Sequence, residues 1–249
     1  MKRLLILLLV LCFPISIFAE TTVVKSGKTA EEYSNEGVVF AETSRFSQAI
    51  SCFNQAIEIN PNYAKAYYNR AKVYDNQSNF IQSIADYTKS IEIDPNFADA
   101  YYNRGVNYAK QGNFTQASSD FTKAIEINPN AADVYNNRGV AYFKQGNFIQ
   151  AVSDYSKAIE ISPNLADACL NRGNAYAKQG NFTKAISDYT RAIEINPSYA
   201  QVYYTRGFAY YLIKENDSAW ADVHKAEELG FAIDPGFLDA LKKASGRDK

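Results

Sequence analysis

The sequence is poor in the residues that most catalytic and metal sites need. Its 249 residues contain one histidine, His224, and three cysteines, Cys12, Cys52 and Cys169. It has no HExxH, GxSxG, paired CxxC or calcium-loop motif, and Gly27-Lys28-Thr29 lacks the first glycine and the preceding strand of a phosphate loop. We therefore expect no enzymatic activity, no cofactor and no metal site.

The chain also lacks an excess of charge of one sign. It carries 26 Lys and Arg against 27 Asp and Glu, a formal net charge of −1. Because nucleic-acid binders use clustered basic charge, this balance argues against a nucleic-acid partner. Hydrophobic residues make up 47% of the chain, which is too many for a disordered protein.

Long apolar runs are confined to the N-terminus. Met1-Lys2-Arg3 precedes an apolar stretch from Leu4 to Phe18, and Ala19 provides a small residue for cleavage. This pattern predicts that residues 1–19 are a secretory signal peptide and that the protein is exported, to the periplasm or the medium. The alternative is an uncleaved N-terminal membrane anchor, although 15 residues are fewer than the ~20 that a spanning helix needs. A lipid on Cys12 is disfavoured, since the bulky Leu11 precedes it.

Proline is scarce, but most of it is regularly spaced. Five of the seven prolines recur every 34 residues, at Pro61, Pro95, Pro129, Pro163 and Pro197. This register divides the chain without insertions into six units, residues 30–63, 64–97, 98–131, 132–165, 166–199 and 200–233. The third and fifth units share 24 of their 34 residues. Such spacing predicts a repeat array rather than a single-core enzyme.

Each unit has the pattern of two helices. In the third unit, apolar residues at spacings of three and four predict helices from about Ala98 to Lys110 and from about Thr115 to Ile127. Gly112 tolerates the left-handed backbone of the turn between them. Asn128-Pro129 ends the second helix, because a proline disfavours helical geometry in the residue before it.

The unit resembles the tetratricopeptide repeat. The third unit has the family's residues at its seven characteristic places, namely Tyr101, Gly105, Tyr108, Ala117, Phe121, Ala124 and Pro129. The second unit departs from the pattern at Ala71, Ser83 and Ser90, and the sixth lacks the turn glycine and the proline. The resemblance covers residues 30–233 and implies an all-α, right-handed superhelical solenoid of six helix-turn-helix repeats.

The segments beside the array are short. We interpret residues 20–29 as a flexible linker, and residues 234–249 as a capping helix with a tail, the helix running from Phe237 to Ala244. Cys52 and Cys169 lie four units apart, so we expect them to be tens of ångströms apart and free, as small core residues.

Two positions co-vary between the units of this chain. The seventh place of the second to sixth units is arginine and the twenty-third is aspartate, whereas the first unit has Glu36 and Cys52 there. The five pairs are Arg70 with Asp86, Arg104 with Asp120, Arg138 with Asp154, Arg172 with Asp188, and Arg206 with Asp222. We predict structural ion pairs between the two helices of each unit. The alternative is that the arginines bind an anionic ligand.

The resemblance also implies that the first helices line a concave groove. The sixth place there is asparagine in five units, Asn35, Asn69, Asn103, Asn137 and Asn171, and Thr205 in the last. This ladder is similar to that of the O-linked N-acetylglucosamine transferase repeat domain, which implies amide contacts to the backbone of an extended peptide. The alternative is that these amides satisfy backbone groups between repeats.

Neighbouring groove positions predict further contacts with a peptide. Apolar and aromatic surface is expected from Tyr68, Tyr102, Tyr204, Val106, Val140, Phe143 and Phe208. Lys110, Lys144 and Lys178 recur along one edge, either as solvated helix ends or as an attraction for an acidic segment. The carboxylate clamp of the family's chaperone adaptors is not assembled, because the fifth place is never lysine.

These features predict a non-enzymatic, exported protein that binds a peptide or protein segment in its groove. The alternative function is that of a structural assembly component of a cell-envelope complex, acting through its convex face or its ends. Four formal glycosylation acceptors recur with the turn of the repeat, at Asn76, Asn113, Asn181 and Asn216. The partner itself is not encoded in these patterns.

Overall fold

The chain folds into a stack of helices. The structure, a computed structural model, describes residues 27–247, so the predicted signal peptide, residues 1–19, lies outside the described residues. Within that range there are thirteen helices and no strand. They are α1 (Ala30–Glu42), α2 (Phe46–Ile59), α3 (Ala64–Asn76), α4 (Phe80–Ile93), α5 (Ala98–Lys110), α6 (Phe114–Ile127), α7 (Ala132–Lys144), α8 (Phe148–Ile161), α9 (Ala166–Lys178), α10 (Phe182–Ile195), α11 (Ala200–Leu212), α12 (Asn216–Glu228) and α13 (Pro235–Ser245). The all-α fold predicted from the repeats is confirmed.

Each 34-residue unit forms one antiparallel helix pair. The bounds of α5 agree with the prediction, while α6 begins one residue earlier than expected, at Phe114. Glycines with left-handed backbone geometry form the turn of the third, fourth and fifth units, with φ of 79° at Gly112, 80° at Gly146 and 76° at Gly180. The same turn uses residues with a Cβ in the other units, including Lys214 at φ 66°. The turn geometry is therefore constant although its residue is not.

A glycine and an aromatic ring hold the two helices of a unit together. A Cβ on Gly173 would lie 2.5 Å from Cε1 of Tyr189 and 3.2 Å from the carbonyl oxygen of Ala185. Tyr189 is 2% exposed and Ala185 is fully buried. The pattern of small and large residues is therefore a close approach of the two helix backbones, with the ring filling the space beside it.

Curvature places the first helices of the units on the inner side. First helices of successive units touch one another, as α1 does α3, α5 does α7, and α7 does α9. Within residues 27–247 no pair of second helices packs as extensively. Because the inner elements of a curved stack lie closer together, α1, α3, α5, α7, α9 and α11 line the concave face.

A polar cluster interrupts the apolar core between the second and third units. Asn107 is 1% exposed, and its Nδ2 donates to Oδ1 of Asp75 at 2.6 Å and to Oγ of Ser83 at 2.9 Å. The hydroxyl of Tyr87 donates to Oδ2 of Asp75 at 2.7 Å. Burial and this hydrogen bond raise the pKa of Tyr87. Ser83, one of the two serines that depart from the family pattern in the second unit, is thus part of a hydrogen-bonded network.

Both ends of the array are closed by local contacts. Thr29 caps α1 by accepting from the Glu32 amide at 3.2 Å, and Oε2 of Glu32 accepts from the Thr29 amide at 2.7 Å. The last residue of the expected linker is thus part of a capping box. At the other end α13 is longer than the expected segment and begins after Asp234, which accepts from the Phe237 amide. Phe237 is 5% exposed against α11 and α12.

Candidate functional site

The arginines of the first helices form two-pronged ion pairs inside their own units. Nε of Arg138 donates to Oδ2 of Asp154 and Nη2 donates to Oδ1, both at 2.8 Å. The same geometry, with distances of 2.7–2.8 Å, recurs in the other four predicted pairs. The Arg138 side chain is 16% exposed and that of Asp154 is 7% exposed. The carboxylate hydrogen bonds raise the pKa of Arg138 despite its partial burial.

A third donor of each arginine links its unit to the preceding one. Nη1 of Arg138 donates to the hydroxyl of Thr122 at 3.0 Å, and that hydroxyl donates to the carbonyl oxygen of Ser118 at 2.8 Å. Equivalent bonds join Arg104 to Thr88, Arg172 to Ser156 and Arg206 to Thr190. Three of the five guanidinium donors are thus engaged within the protein and its charge is paired with a carboxylate, which favours the structural role over binding of an anionic ligand. This bond was not predicted from the sequence, although Ser or Thr recurs at the acceptor place in the second to fifth units.

Three asparagines of the groove each donate a hydrogen bond to a side chain of the preceding unit. Nδ2 of Asn137 donates to the Tyr102 hydroxyl at 3.0 Å, and Nδ2 of Asn103 donates to the Tyr68 hydroxyl at 3.2 Å. Asn171 makes the equivalent bond to Oδ1 of Asn136 at 3.1 Å. An amide has two N–H donors and a carbonyl acceptor, so each of these three uses one donor and keeps one donor and its oxygen. Each of these amides therefore links two units and keeps one donor and its oxygen without a hydrogen-bond partner among the described residues.

The aromatic residues beside the ladder are partly structural. Tyr68 packs against Phe97, with ring centroids 4.6 Å apart, and Tyr102 packs against Phe121 at 5.9 Å. Burial raises the pKa of Tyr68. Val106 is half-buried beside the core cluster that Tyr102 contacts, and Val140 is half-buried beside the next cluster, around Tyr155. These side chains therefore expose only part of their apolar surface to the groove.

Asn35 and Asn69 complete the ladder at its N-terminal end. Asn35 is exposed on α1, and Asn69 lies on α3 beside a small groove pocket shared with Lys72 and Val73. The place before the asparagine in the first unit is Ser34, which is buried. This end consequently has no tyrosine to accept from the asparagine of the second unit.

The predicted lysines lie at the ends of three successive inner helices. Lys110, Lys144 and Lys178 are the last residues of α5, α7 and α9, and all three are exposed. Lys110 lies over the ring of Phe80, 5.2 Å from its centroid. Within residues 27–247 none of the three forms an ion pair, whereas the outer-helix lysines Lys89, Lys123, Lys157 and Lys225 each bond the glutamate three residues later at 2.7–3.1 Å.

A pocket of about 480 Å³ opens in the groove between the fourth and sixth units. Its walls are mainly apolar or aromatic, from Phe143, Ala177, Phe182, Tyr189, Tyr204, Phe208, Ala209 and Leu212, with polar groups from Asn174, Lys178 and Thr205. Phe208 is 42% exposed and Leu212 is 41% exposed. Phe143, Lys178, Tyr204, Thr205 and Phe208 were predicted at groove positions from the sequence, whereas the other lining residues, Leu212 and Asn174 among them, were not. The missed signal was Leu212 replacing the recurring lysine in the last unit.

Family models match most of the repeat region. A model described as TPR repeat matches residues 37–78, 107–146 and 173–213, and two tetratricopeptide repeat models match residues 64–97 and 132–165, and residues 86–117. Together these matches span more than half of the chain. The chain belongs to the tetratricopeptide repeat family. No curated protein matches this tetratricopeptide repeat chain.

Solved structures of tetratricopeptide repeat proteins share the fold. YrrB, described as a TPR protein with an unusual peptide-binding site, is 24% identical with a TM-score of 0.65, and the match covers 70% of this chain and 89% of YrrB. MamA is 26% identical with a TM-score of 0.63, covering 64% of this chain and 93% of MamA. PilF of Pseudomonas aeruginosa is 18% identical with a TM-score of 0.68, covering 88% and 97% of the two chains.

Other kinds of site have little support in residues 27–247. This part of the tetratricopeptide repeat chain has no group of three or more His, Cys, Asp or Glu arranged to hold a metal ion. None of its helices has the length and apolar character needed to cross a bilayer. Cys52 and Cys169 are buried free thiols, and burial raises the pKa of both. The groove is therefore the candidate site.

Proposed function

We propose that this chain is an exported, non-enzymatic adaptor that binds an extended peptide or protein segment in its concave groove. The observation that carries the proposal is the partly exposed apolar pocket, which continues the row of asparagine amides. Anchored side chains would supply affinity there, while Asn103, Asn137 and Asn171 would bond the peptide backbone. YrrB, which shares the fold, is described as having a peptide-binding site.

The test is affinity capture from the envelope and secreted fractions of the native host. The parent chain is compared with a variant carrying Asn69→Ala, Asn103→Ala and Asn137→Ala. We expect the parent to retain a partner that the variant loses, because the variant lacks three of the five groove amides.

A matched control separates recognition from packing. Tyr68→Phe with Tyr102→Phe removes the hydroxyls that accept from Asn103 and Asn137 but keeps both amides. The tyrosine variant should therefore still capture the partner. Equal capture by all three proteins would overturn groove binding, and equal loss in both variants would make the ladder a packing feature.

The alternative function, assembly through the convex face, has one observation in its favour. Ile81 and Ile149 are the second residues of the outer helices α4 and α8, and each is 77% exposed. Ile81→Lys with Ile149→Lys would abolish capture of a convex-face partner and leave a groove partner bound. The pair of variants thus assigns a captured partner to one face.

Export is proposed from the sequence of residues 1–19 alone. A protein cut after Ala19 begins at Glu20, so its intact mass and N-terminal sequence identify the cleavage. Recovery of the uncut chain from the membrane fraction would instead favour the anchor.

A further inference from the structure

We propose that the groove selects a peptide segment that carries one bulky apolar side chain and, to one side of it, a row of acidic residues. Successive acidic residues of this row are about three positions apart in the peptide. The inference deepens the proposed groove function and rests on it. The bulky side chain occupies the pocket between the fourth and sixth units, and the acidic residues lie along Lys178, Lys144 and Lys110.

The apolar half of this preference follows from a break in the repeat. The thirteenth place of the third to fifth units is Lys110, Lys144 and Lys178, and in the sixth unit it is Leu212. The ninth place also becomes larger and more apolar in the sixth unit, where Phe208 replaces the Val140 and Asn174 of the fourth and fifth units. The pocket of about 480 Å³ opens where these changes occur. It has room for an aromatic or large aliphatic side chain, which its exposed apolar walls would remove from water.

The acidic half follows from the pairing of the lysines. On the outer helices, Lys89, Lys123, Lys157 and Lys225 each form an ion pair with the glutamate three residues later, whereas Lys184 on α10 lies over the ring of Tyr176. The three groove-edge lysines have no carboxylate partner in residues 27–247, and Lys178 is the one charged side chain among the described residues that line the pocket. A row of unneutralised cations running up to an apolar pocket is complementary to acidic residues beside an apolar one.

Aspartates on the opposite edge of the groove disfavour a partner that is acidic on all sides. Asp99, Asp133 and Asp167 lie in the first turn of α5, α7 and α9, whose last residues are the lysines. A uniformly anionic polymer would meet repulsion along this edge. A peptide whose carboxylates lie on one side only avoids that repulsion.

The spacing follows from the packing of the inner helices. Successive inner helices touch, as α5 does α7 and α7 does α9, and packed helix axes lie about 8–10 Å apart. An extended chain advances about 3.3–3.6 Å per residue. One unit of the groove therefore corresponds to about three residues of the bound segment.

The experiment uses the full chain to select from a random peptide library displayed on phage. We expect enrichment of peptides with one aromatic or large aliphatic residue and acidic residues at about three-residue intervals to one side of it. An enriched peptide is then synthesised with a fluorescent label, and its affinity is measured by polarisation at low ionic strength.

Three variants assign the contacts. Lys144→Glu with Lys178→Glu should weaken binding by about tenfold and shift the selected consensus toward basic residues. Leu212→Lys, which extends the lysine row into the pocket, should weaken binding by a similar factor while circular dichroism shows an unchanged helix content. The control is Lys123→Glu with Lys157→Glu, which makes the same change of net charge on the outer helices and should leave affinity unchanged.

Each outcome has a defined meaning. A different consensus that still loses binding with the asparagine variant overturns this inference but leaves the groove function standing. Enrichment of nothing, or of peptides that bind the parent and the asparagine variant equally, overturns both. Equal weakening by the groove-edge and control charge reversals would mean that only net charge matters, which also contradicts the inference.

Discussion

At the scale of single residues, one arginine performs two tasks. Arg138 neutralises Asp154 inside its unit, and its third donor reaches Thr122 in the unit before. Pairwise comparison of repeats predicted the partner Asp154, because both residues are absent together from the first unit. Ser or Thr also recurs at the place of Thr122, but this recurrence does not identify the bond, since a hydroxyl is common on helix surfaces and its direction depends on how the units stack.

The ion pair gives the first prediction. Arg138→Leu should lower the free energy of unfolding by about 3–5 kcal/mol, because it leaves the buried Asp154 carboxylate without its partner. Arg138→Leu with Asp154→Leu should cost much less, since no charge is then stranded. Urea denaturation measures both, and Arg191→Leu, whose partner Glu194 is exposed, is the control with little effect. Equal losses in the single and double variants would contradict the pairing.

A tyrosine gives a prediction about pH. The Tyr199 hydroxyl donates to Oδ1 of Asp167 at 2.8 Å, and burial together with this bond raises the pKa of Tyr199 to about 12. In the unfolded chain the proton leaves near pH 10, so this stabilisation is complete below about pH 10 and is lost as the pH rises to about 12.

Tyr199→Phe should therefore make stability less sensitive to pH in that window. Urea midpoints measured from pH 8 to pH 12 test this for the parent and the variant. Superimposable pH profiles would contradict the role given to Tyr199.

At the scale of the helix pair, backbone geometry matters more than residue identity. The turn adopts a left-handed conformation in every unit, although Ser44, Ser78 and Lys214 carry a Cβ that disfavours it. The surrounding helices impose this conformation, which is why the missing glycine of the sixth unit did not change the fold.

Replacing Lys214 with glycine should stabilise the protein by about 1 kcal/mol, since the left-handed region costs glycine nothing. Thermal denaturation measures the gain. Lys214→Ala is the matched control, because it removes the long side chain but keeps the Cβ, and should give no such gain. A larger gain from alanine than from glycine would contradict the backbone explanation.

The capping helix α13 packs against the last repeat through the ring of Phe237. The ring of Phe237 lies 5.1 Å from that of Phe208, 5.6 Å from that of Tyr211 and 5.8 Å from that of Tyr204, centroid to centroid. Phe237→Ala should cost about 3–5 kcal/mol and expose this aromatic surface. Guanidinium denaturation measures the loss of stability, and light scattering detects association through the exposed aromatic surface. An unchanged midpoint would show that α13 does not stabilise the last repeat.

At the scale of the whole molecule, stability follows from contacts between neighbouring units. The first unit has neither the arginine nor the aspartate of the others. In a linear array such a unit opens more readily than the interior ones. We expect amide hydrogen exchange in α1 and α2 to be faster than in α7 and α8, as measured by mass spectrometry. Arg138→Leu should then accelerate exchange in α7 and α8, and uniform protection throughout would contradict this view.

The sequence alone determined the helices, their pairing and the family, because a 34-residue period fixes which residues are small, aromatic or turn-forming. It also determined the Arg–Asp partners, which lie within one unit. The tertiary structure alone decided what crosses between units: the bond from Asn137 to Tyr102, the link from Arg138 to Thr122, and the pocket beside Leu212. Those features depend on the angle and distance at which units stack, which arise from many packed side chains together rather than from any repeated motif.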